Sequence, residues 1–213
     1  MFKYSGLLQS KDERLPVPEM RVLRQDWRQE MTELDVTITG KRPLLMHSTA
    51  AMLKPKSNKV KSSAHDPVEE AKDCLYLNDA GKICVPAMAV LSSMRKAATQ
   101  LKKAGQGKKT LRDFVFSGLQ VEPDMIELPD QNYDVDLRPV VVQRSRIMRA
   151  RPLFKKWSLS FKVNIIDEMT WDAGTVRQVI TEAGLYQGLL DFRPLFGTFE
   201  VASVKTADGK EVK

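Results

Sequence analysis

The sequence predicts an α+β fold in which a four-stranded sheet carries its helices on one face. Some segments alternate apolar and polar residues, which is typical of strands with one buried side. Others have an apolar stripe or a capping residue, which is typical of helices. The predicted elements are strands over 34–40, 119–128, 158–166 and 198–204 and helices over 87–103 and 172–183. Their order, β-α-β-β-α-β, is that of a ferredoxin-like or RRM-like sheet.

The length of the chain predicts one domain with extensions. It has 213 residues, of which 42% are hydrophobic, and this is enough for a single core. We predict an N-terminal arm over 1–31, an RRM-like domain over 32–205 and a polar tail over 206–213. Two long insertions, 48–86 and 129–157, interrupt the predicted domain, and the second has the composition of a basic hairpin.

Positive charge is concentrated in three windows that contain no Asp or Glu. The net charge of the chain is +7. The windows Val36–His65, Ala80–Arg112 and Leu137–Ile166 hold 22 of the 34 Lys and Arg residues, and all 27 acidic residues lie elsewhere. This separation predicts one basic face with an acidic partner, provided that the windows meet in space.

The first strand is followed by a long polar loop. Leu34, Val36 and Ile38 share the face of the strand that we expect to be buried. Residues 49–65 have no hydrophobic periodicity and are rich in Lys and Ser, which predicts a mobile loop. Asp66, which precedes a proline and two glutamates, predicts the N-cap of a short helix.

The middle of the chain predicts a hairpin and then a long helix. The hairpin covers 74–85 and turns near Gly81, and Pro86 opens the helix. The helix ends before 105–110, a segment that has a faint likeness to a phosphate loop. Because this segment lacks the spacer before Gly-Lys-Thr and follows a helix instead of a strand, we exclude nucleotide binding there.

The remaining elements follow the same patterns. A short helix is expected over 110–117, Pro123 splits the strand region 119–128, and 129–136 is an acidic loop. The strand over 158–166 alternates regularly, and Thr170 or Asp172 caps the helix that precedes the last strand.

The most unusual stretch is the acid-free segment Leu137–Ile166. Arginine binds phosphate in a bidentate way, and Arg or Trp faces can stack on bases. We interpret the segment as a nucleic-acid-binding arm that leads into a core strand; the alternative is a solvated basic hairpin without a ligand. For Trp157, base stacking and covering the root of the arm both stay open.

Three stretches together resemble the RAMP superfamily, and within it the repeated backbone subunits that coat guide RNA in CRISPR effector complexes. They are the first strand with the Pro-Leu after it (36–45), the segment Ile83–Arg95 with its Pro86 and helix, and the glycine-rich loop 184–200 before the last strand. The resemblance implies an RNA-binding sheet, a thumb-like hairpin in the 129–157 insertion and head-to-tail assembly. It also allows a stand-alone or mobile-element relative, from antiviral defence or from a phage.

The predicted nucleic-acid-binding residues come from the basic windows and the glycine-rich loop. They are Arg42, Lys54, Lys56, Lys59, Lys61, Arg95, Lys102, Lys103, Lys108, Lys109, Arg138, Arg144, Arg146, Arg149, Arg151, Lys155, Lys156, Trp157 and Arg193. An ion pair between Asp191 and Arg193 is an alternative role for that arginine.

The sequence favours a binding protein over an enzyme. Some RAMP members cut RNA with a histidine near the first strand, so His47 is a weak candidate for a general acid or base. His47 as a simple strand-end residue is the alternative. With only two His and two Cys residues, and no Cys-x-x-Cys, the sequence predicts no metal site and no cofactor.

Three functions stay open. The first is a protein that binds single-stranded RNA or DNA and assembles along it as a homo-oligomer or filament, with other effector-complex subunits as further partners. The second is a small metal-independent endoribonuclease that uses His47. The third is a self-assembling structural protein whose basic arm docks on an acidic neighbour. We expect an intracellular, cytoplasmic protein without a membrane partner, since neither a signal peptide nor a membrane span is recognisable.

Overall fold

A computed structural model describes residues 31–49, 66–103, 105, 107–142 and 144–212. The predicted N-terminal arm, apart from Met31, lies outside the described residues. So does nearly all of the Lys- and Ser-rich loop, including Lys54, Lys56, Lys59 and Lys61. The described residues from Thr32 onward form one compact unit.

The described elements follow one another in mixed α and β order. They are β1 (Thr32–Gly40), β2 (Leu44–Leu45), α1 (Pro67–Asp73), β3 (Cys84–Pro86), α2 (Ala87–Ala97), a 3-10 turn (Leu111–Phe114), α3 (Val115–Gly118), β4 (Leu119–Glu122), β5 (Met125–Glu127), β6 (Asp134–Val142), β7 (Ser145–Phe154), β8 (Ser158–Ile165), α4 (Ala173–Glu182), a π-helical turn (Ala183–Gln187) and β9 (Phe199–Thr206).

Four strands form the main antiparallel sheet, in the spatial order β4-β8-β1-β9. Val36 of β1 lies opposite Phe161 of β8 and Val204 of β9, so the alternating apolar residues of three strands share one face. The predicted α+β class is therefore confirmed.

The helices bury this apolar face. Leu34, Val36 and Ile38 belong to one core cluster with buried residues of α2 and α4, such as Val90 and Val176. At the N-terminus of α4, Asp172 caps the helix by accepting a hydrogen bond from the Thr175 amide at 2.9 Å. The apolar stripe that predicted α2 and the buried apolar residues of α4 therefore face the sheet.

Two predicted boundaries are wrong. The helix predicted over 87–103 ends at Ala97, because the chain then turns and Leu111 N donates to Leu101 O at 2.9 Å. The strand predicted over 119–128 is two strands in different sheets, since β4 joins the main sheet and β5 pairs with β3. Pro123, between them, has no N–H with which to continue a ladder.

The 129–157 insertion forms a long hairpin. β6 and β7 pair along their whole length, from Asp134 opposite Leu153 to Val142 opposite Ser145, and β2 adds to the other edge of β7. Beyond β2, α1 continues this edge: Glu70 accepts a hydrogen bond from Ala150 N at 2.8 Å. Asp66 caps α1 as predicted, accepting from Val68 N at 2.9 Å.

The two cysteines, Cys74 and Cys84, are both free and buried, as expected for structural thiols. Burial raises the pKa of each thiol, so neither is poised as a thiolate. None of the helices in the described part of the chain is long and apolar enough to cross a membrane.

Candidate nucleic-acid interface

The hairpin of β6 and β7 has one charged face and one apolar face. Residues directly opposite each other in an antiparallel pair point to the same side. Arg138 lies opposite Arg149, and Asp136 opposite Arg151, so these four share a face. The other face carries exposed apolar side chains, which are Val135, Leu137, Val141 and Met148.

Four of the hairpin cations that we predicted to contact nucleic acid form ion pairs with carboxylates of the same chain. The pairs are Arg138 with Asp136 (2.5 Å), Arg149 with Glu70 (2.8 Å), Arg151 with Asp191 (3.1 Å) and Lys155 with Asp134 (2.9 Å). Arg138, Arg149, Arg151 and Lys155 therefore each have a carboxylate partner within the chain, and their contact with nucleic acid stays a prediction. These acids lie outside the window in sequence, and Asp134 and Asp136 are just upstream on the same strand.

The cations at the tip of the hairpin are different. Arg144 occupies the turn with a φ of 68°, and Arg146 lies on the apolar face opposite Val141. Both are exposed, and no carboxylate of the described residues lies within salt-bridge distance of either. With about 3.3 Å per strand residue, the tip projects roughly 23 Å beyond Arg151.

The glycine-rich loop 188–197 lies against the charged face of the hairpin. The guanidinium of Arg151 lies 5.3 Å from the ring centre of Phe192, and that of Arg138 lies 4.5 Å from that of Phe196. Gly197 has a φ of 71°, and a Cβ there would collide with the backbone of Leu189. The loop is therefore closely fitted between β2 and the hairpin.

A cavity of about 430 Å³ opens where this loop meets the start of α2 and the end of β2. Its polar residues are His47, Tyr76, Ser92, Asp191 and Arg193, and its apolar ones are Pro86, Met88, Ala89 and Leu190. No side chain caps the N-terminus of α2. The Ala87 amide donates to Asp124 O at 2.8 Å, and the positive end of the helix attracts anions. No pattern in the sequence indicated that Tyr76 and Ser92 belong to this site.

His47 faces a carboxylate in this cavity. Its Nδ1 lies 3.8 Å from Asp191 Oδ2, and its side chain is 41% exposed. The Tyr76 hydroxyl donates to His47 O at 3.3 Å. Burial raises the pKa of Tyr76, and the charge of Asp191 raises it further. The predicted pair of Asp191 with Arg193 is absent from the described ion pairs, where Asp191 instead binds Arg151.

Trp157, at the root of the hairpin, is too deeply buried to contact a nucleic acid as predicted. Trp157 is only 5% exposed, and its Nε1 donates to Arg42 O at 2.9 Å. A residue buried in this way cannot stack on a base, so the stacking role is wrong and Trp157 covers the root. Arg42 and Lys156, by contrast, have exposed side chains on either side of it.

The lysines after α2 lie away from this cavity. The cavity includes the first turns of α2, whereas Lys102, Lys103, Lys108 and Lys109 follow its C-terminus. Eleven residues of helix span roughly 16 Å. The Lys103 ammonium lies over the Phe114 ring at 3.7 Å, and the Arg95 guanidinium over Phe116 at 5.0 Å. Among the described residues, the cations at the two ends of α2 therefore do not form one track, which corrects the expected single basic face for this part of the chain.

The open face of the main sheet is polar and carries acidic residues. A groove of about 710 Å³ there is lined by Asp35, Glu122 and Asp124 as well as Thr37 and Ser160. Lys162, also in this groove, is held by Glu33 at 2.9 Å, and this bond raises the lysine's pKa. A face with these carboxylates repels phosphate, so we do not place RNA on it, although the family resemblance implies an RNA-binding sheet.

Within the described residues, no group of three or more His, Cys, Asp or Glu is placed to hold a metal ion.

No protein-family model and no curated protein matches the sequence. Solved structures do match the fold. One is a chain of the Type III-B Cmr-beta complex bound to cognate target RNA, with a TM-score of 0.51 and 11% identity over 89% of this chain. Our chain spans 65% of that chain's length.

A second match is a chain of a CRISPR RNA-guided surveillance complex, with 12% identity over 82% of this chain and 68% of that one. Its TM-score of 0.37 is too low to support an argument. At these identities, the comparison with the Cmr-beta chain shows the fold alone: this chain has a fold like that of a CRISPR-complex subunit.

Proposed function

We propose that this chain binds single-stranded RNA, with the RNA backbone passing from the cavity beside α2 along the hairpin to its tip. One observation carries the proposal. The cavity joins His47 and Arg193 to a helix N-terminus without a side-chain cap. Its Asp191 is ion-paired with Arg151 of the hairpin, whose tip carries the carboxylate-free Arg144 and Arg146. Cations and helix N-termini of this kind bind phosphates without reading sequence.

The fold likeness supports this proposal, because the matched Cmr-beta complex is itself bound to target RNA. We extend the proposal to a RAMP-like backbone subunit that repeats along RNA beside other effector-complex subunits. In this view residues 32–205 are a ferredoxin-like RNA-binding domain and 129–157 is its thumb. The strand order β4-β8-β1-β9, with helices packed on one face, supports that topology.

The first experiment is purification at low salt, followed by the absorbance ratio at the nucleic-acid and protein maxima. We expect co-purified nucleic acid that ribonuclease removes and deoxyribonuclease does not. Removal by deoxyribonuclease alone would assign single-stranded DNA as the ligand. Protein that carries no nucleic acid and does not bind added RNA would refute the proposal.

One observation favours the endoribonuclease as a second candidate. His47 lies beside Asp191 in a cavity that also holds Arg193. In such a site the neutral imidazole would take the 2′-hydroxyl proton while that oxygen attacks the adjacent phosphorus. The 5′-oxygen would leave with a proton from water, giving a 2′,3′-cyclic phosphate. Labelled RNA incubated with wild type and His47→Ala in the presence of a chelator decides this: without cleavage by the wild type, the candidate fails.

The third candidate, a basic arm that docks on an acidic neighbour, is weakened by the structure. Four of the arm's cations already have carboxylates within the same chain. Oligomers that persist in light scattering after nuclease treatment would restore it.

A further inference from the structure

A second basic surface lies at the C-terminal end of α2. The chain turns back between Leu101 and Leu111, and backbone bonds hold the turn: Lys103 N donates to Lys109 O at 2.9 Å, and Lys102 bridges to Thr110. Gly105 and Gly107 supply the positive φ values of 72° and 61° that the turn needs. We call this segment the lysine turn, after its exposed lysines Lys102, Lys108 and Lys109.

In the part of the chain that the structure describes, no carboxylate forms an ion pair with Lys102, Lys108 or Lys109. The window of the lysine turn, residues 80–112, contains no Asp or Glu. The nearest ion pair is Arg112 with Asp113, at a long 3.9 Å. The C-terminus of α2 offers about half a negative charge, which is too little for three ammonium groups and the neighbouring Lys96. This contrasts with the hairpin, where four cations have carboxylate partners.

Beside the turn is a cleft of about 330 Å³ with an apolar wall. Leu101, Leu111 and Met169 line it. The polar lining includes Lys102, Lys103, Thr170 and Asp172, whose carboxylate accepts hydrogen bonds from the Thr175 amide and hydroxyl. Met169 is 99% exposed, which is unusual for a large apolar side chain. Lys103 donates to Thr170 Oγ1 at 2.8 Å, so this lysine holds the wall in place. Exposed ammonium groups next to an apolar surface suit a ligand with phosphates and flat bases.

We propose that the lysine turn is a second RNA-binding surface, which contacts phosphates of a segment other than the one in the cavity. The inference rests on the proposed function and adds a separate contact to it. The cavity includes the first turns of α2 and the lysine turn follows its C-terminus, so the helix separates the two surfaces by roughly 16 Å. One chain therefore holds RNA at both ends of α2.

The test is a pair of charge-reversal variants with equal change in net charge. Lys108→Glu with Lys109→Glu alters the turn, whereas Lys82→Glu with Lys210→Glu alters exposed lysines elsewhere. Binding of fluorescent poly(U) RNA is followed by anisotropy as a function of salt. We expect the turn variant to bind at least about tenfold more weakly than the control variant, with a log–log salt slope smaller by about 1.4.

Two further arms separate the possible outcomes. In an Arg144→Ala, Arg146→Ala background, adding the turn reversal should remove most of the binding that remains. If the turn variant binds RNA like the control variant, the second surface is refuted while the proposed function stands. If wild type does not bind RNA, both fail. If the lysine turn binds polyglutamate and does not bind RNA, its partner is an acidic protein segment and the proposal is overturned. Circular dichroism confirms that each variant is folded.

Discussion

Arg151 Nη1 lies 3.1 Å from Asp191 Oδ2, although 40 residues separate the two in sequence. Neither atom completes a well-aligned hydrogen bond, so charge attraction holds the pair. The backbone of Asp191 also donates to Leu45 O at 3.1 Å. A single residue of the glycine-rich loop thus ties β7 to β2 and forms a wall of the cavity.

Asp191→Asn should destabilise the fold. It keeps the volume of the side chain but leaves the Arg151 guanidinium, whose side chain is 10% exposed, without its counter-charge. Removing one partner of a fully buried pair costs several kcal/mol. Because Asp191 is 30% exposed, we expect a smaller loss of roughly 2 to 3 kcal/mol in the free energy of unfolding. Urea denaturation measures it.

The matched control is Asp134→Asn. Its pair with Lys155 has side chains 56% and 70% exposed, so its loss should cost less than about 1 kcal/mol. Equal losses for the two variants would show that the Arg151–Asp191 pair is no more important than a surface contact.

Trp157→Phe should lower stability and leave RNA affinity unchanged. The substitution leaves Arg42 O without the indole donor, at a cost of about 1 to 3 kcal/mol. Gly40→Ala should act in the same direction, because a Cβ at Gly40 would collide with the Trp157 ring. Thermal melts and anisotropy binding curves check both. Weaker RNA binding by a Trp157→Phe protein of normal stability would contradict the buried role.

Asp172→Ala should cost about 1 kcal/mol at neutral pH, and less in acid. Hydrogen bonds from the Thr175 hydroxyl and amide hold the pKa of Asp172 below its ordinary value. The stabilisation is therefore complete above the ordinary carboxyl pKa and is lost as pH falls through the lowered, folded-state value. The difference in unfolding free energy between wild type and Asp172→Ala should shrink on acidification. The control is Asp208→Ala, in an exposed turn, which should have the same stability as wild type at each pH. A difference that stays constant into acid would contradict the cap.

The elements that the sequence predicted correctly have local signals. Alternation along Leu34, Val36 and Ile38 and the capping residue Asp172 each act within a few neighbouring residues. By contrast, β2 has only two residues, and β5 leaves the main sheet to pair with β3. Such pairings are set by tertiary contacts that no local pattern specifies.

The same limit explains the errors at the candidate site. A run without acids predicts an open basic surface, yet Glu70 reaches Arg149 from 79 residues away. Long-range ion pairs of this kind leave no periodic signal in sequence. For Trp157 the sequence left two roles open, and only burial distinguishes them. The hairpin itself was predictable, but which of its arginines are free was not.

The proposed RNA binding depends most on Arg144 and Arg146, the hairpin cations without carboxylate partners among the described residues. A salt titration of single-stranded RNA binding, from about 50 to 200 mM, compares wild type with the Arg144→Ala, Arg146→Ala variant. The charge-matched control is Lys41→Ala with Lys162→Ala, two ion-paired lysines. For wild type and control we predict a steep loss of RNA affinity as salt rises. For the arginine variant we predict weaker binding, with a slope of log affinity against log salt that is smaller by about 1.4. A slope that is flat for wild type, or identical in all three proteins, would contradict the proposed function.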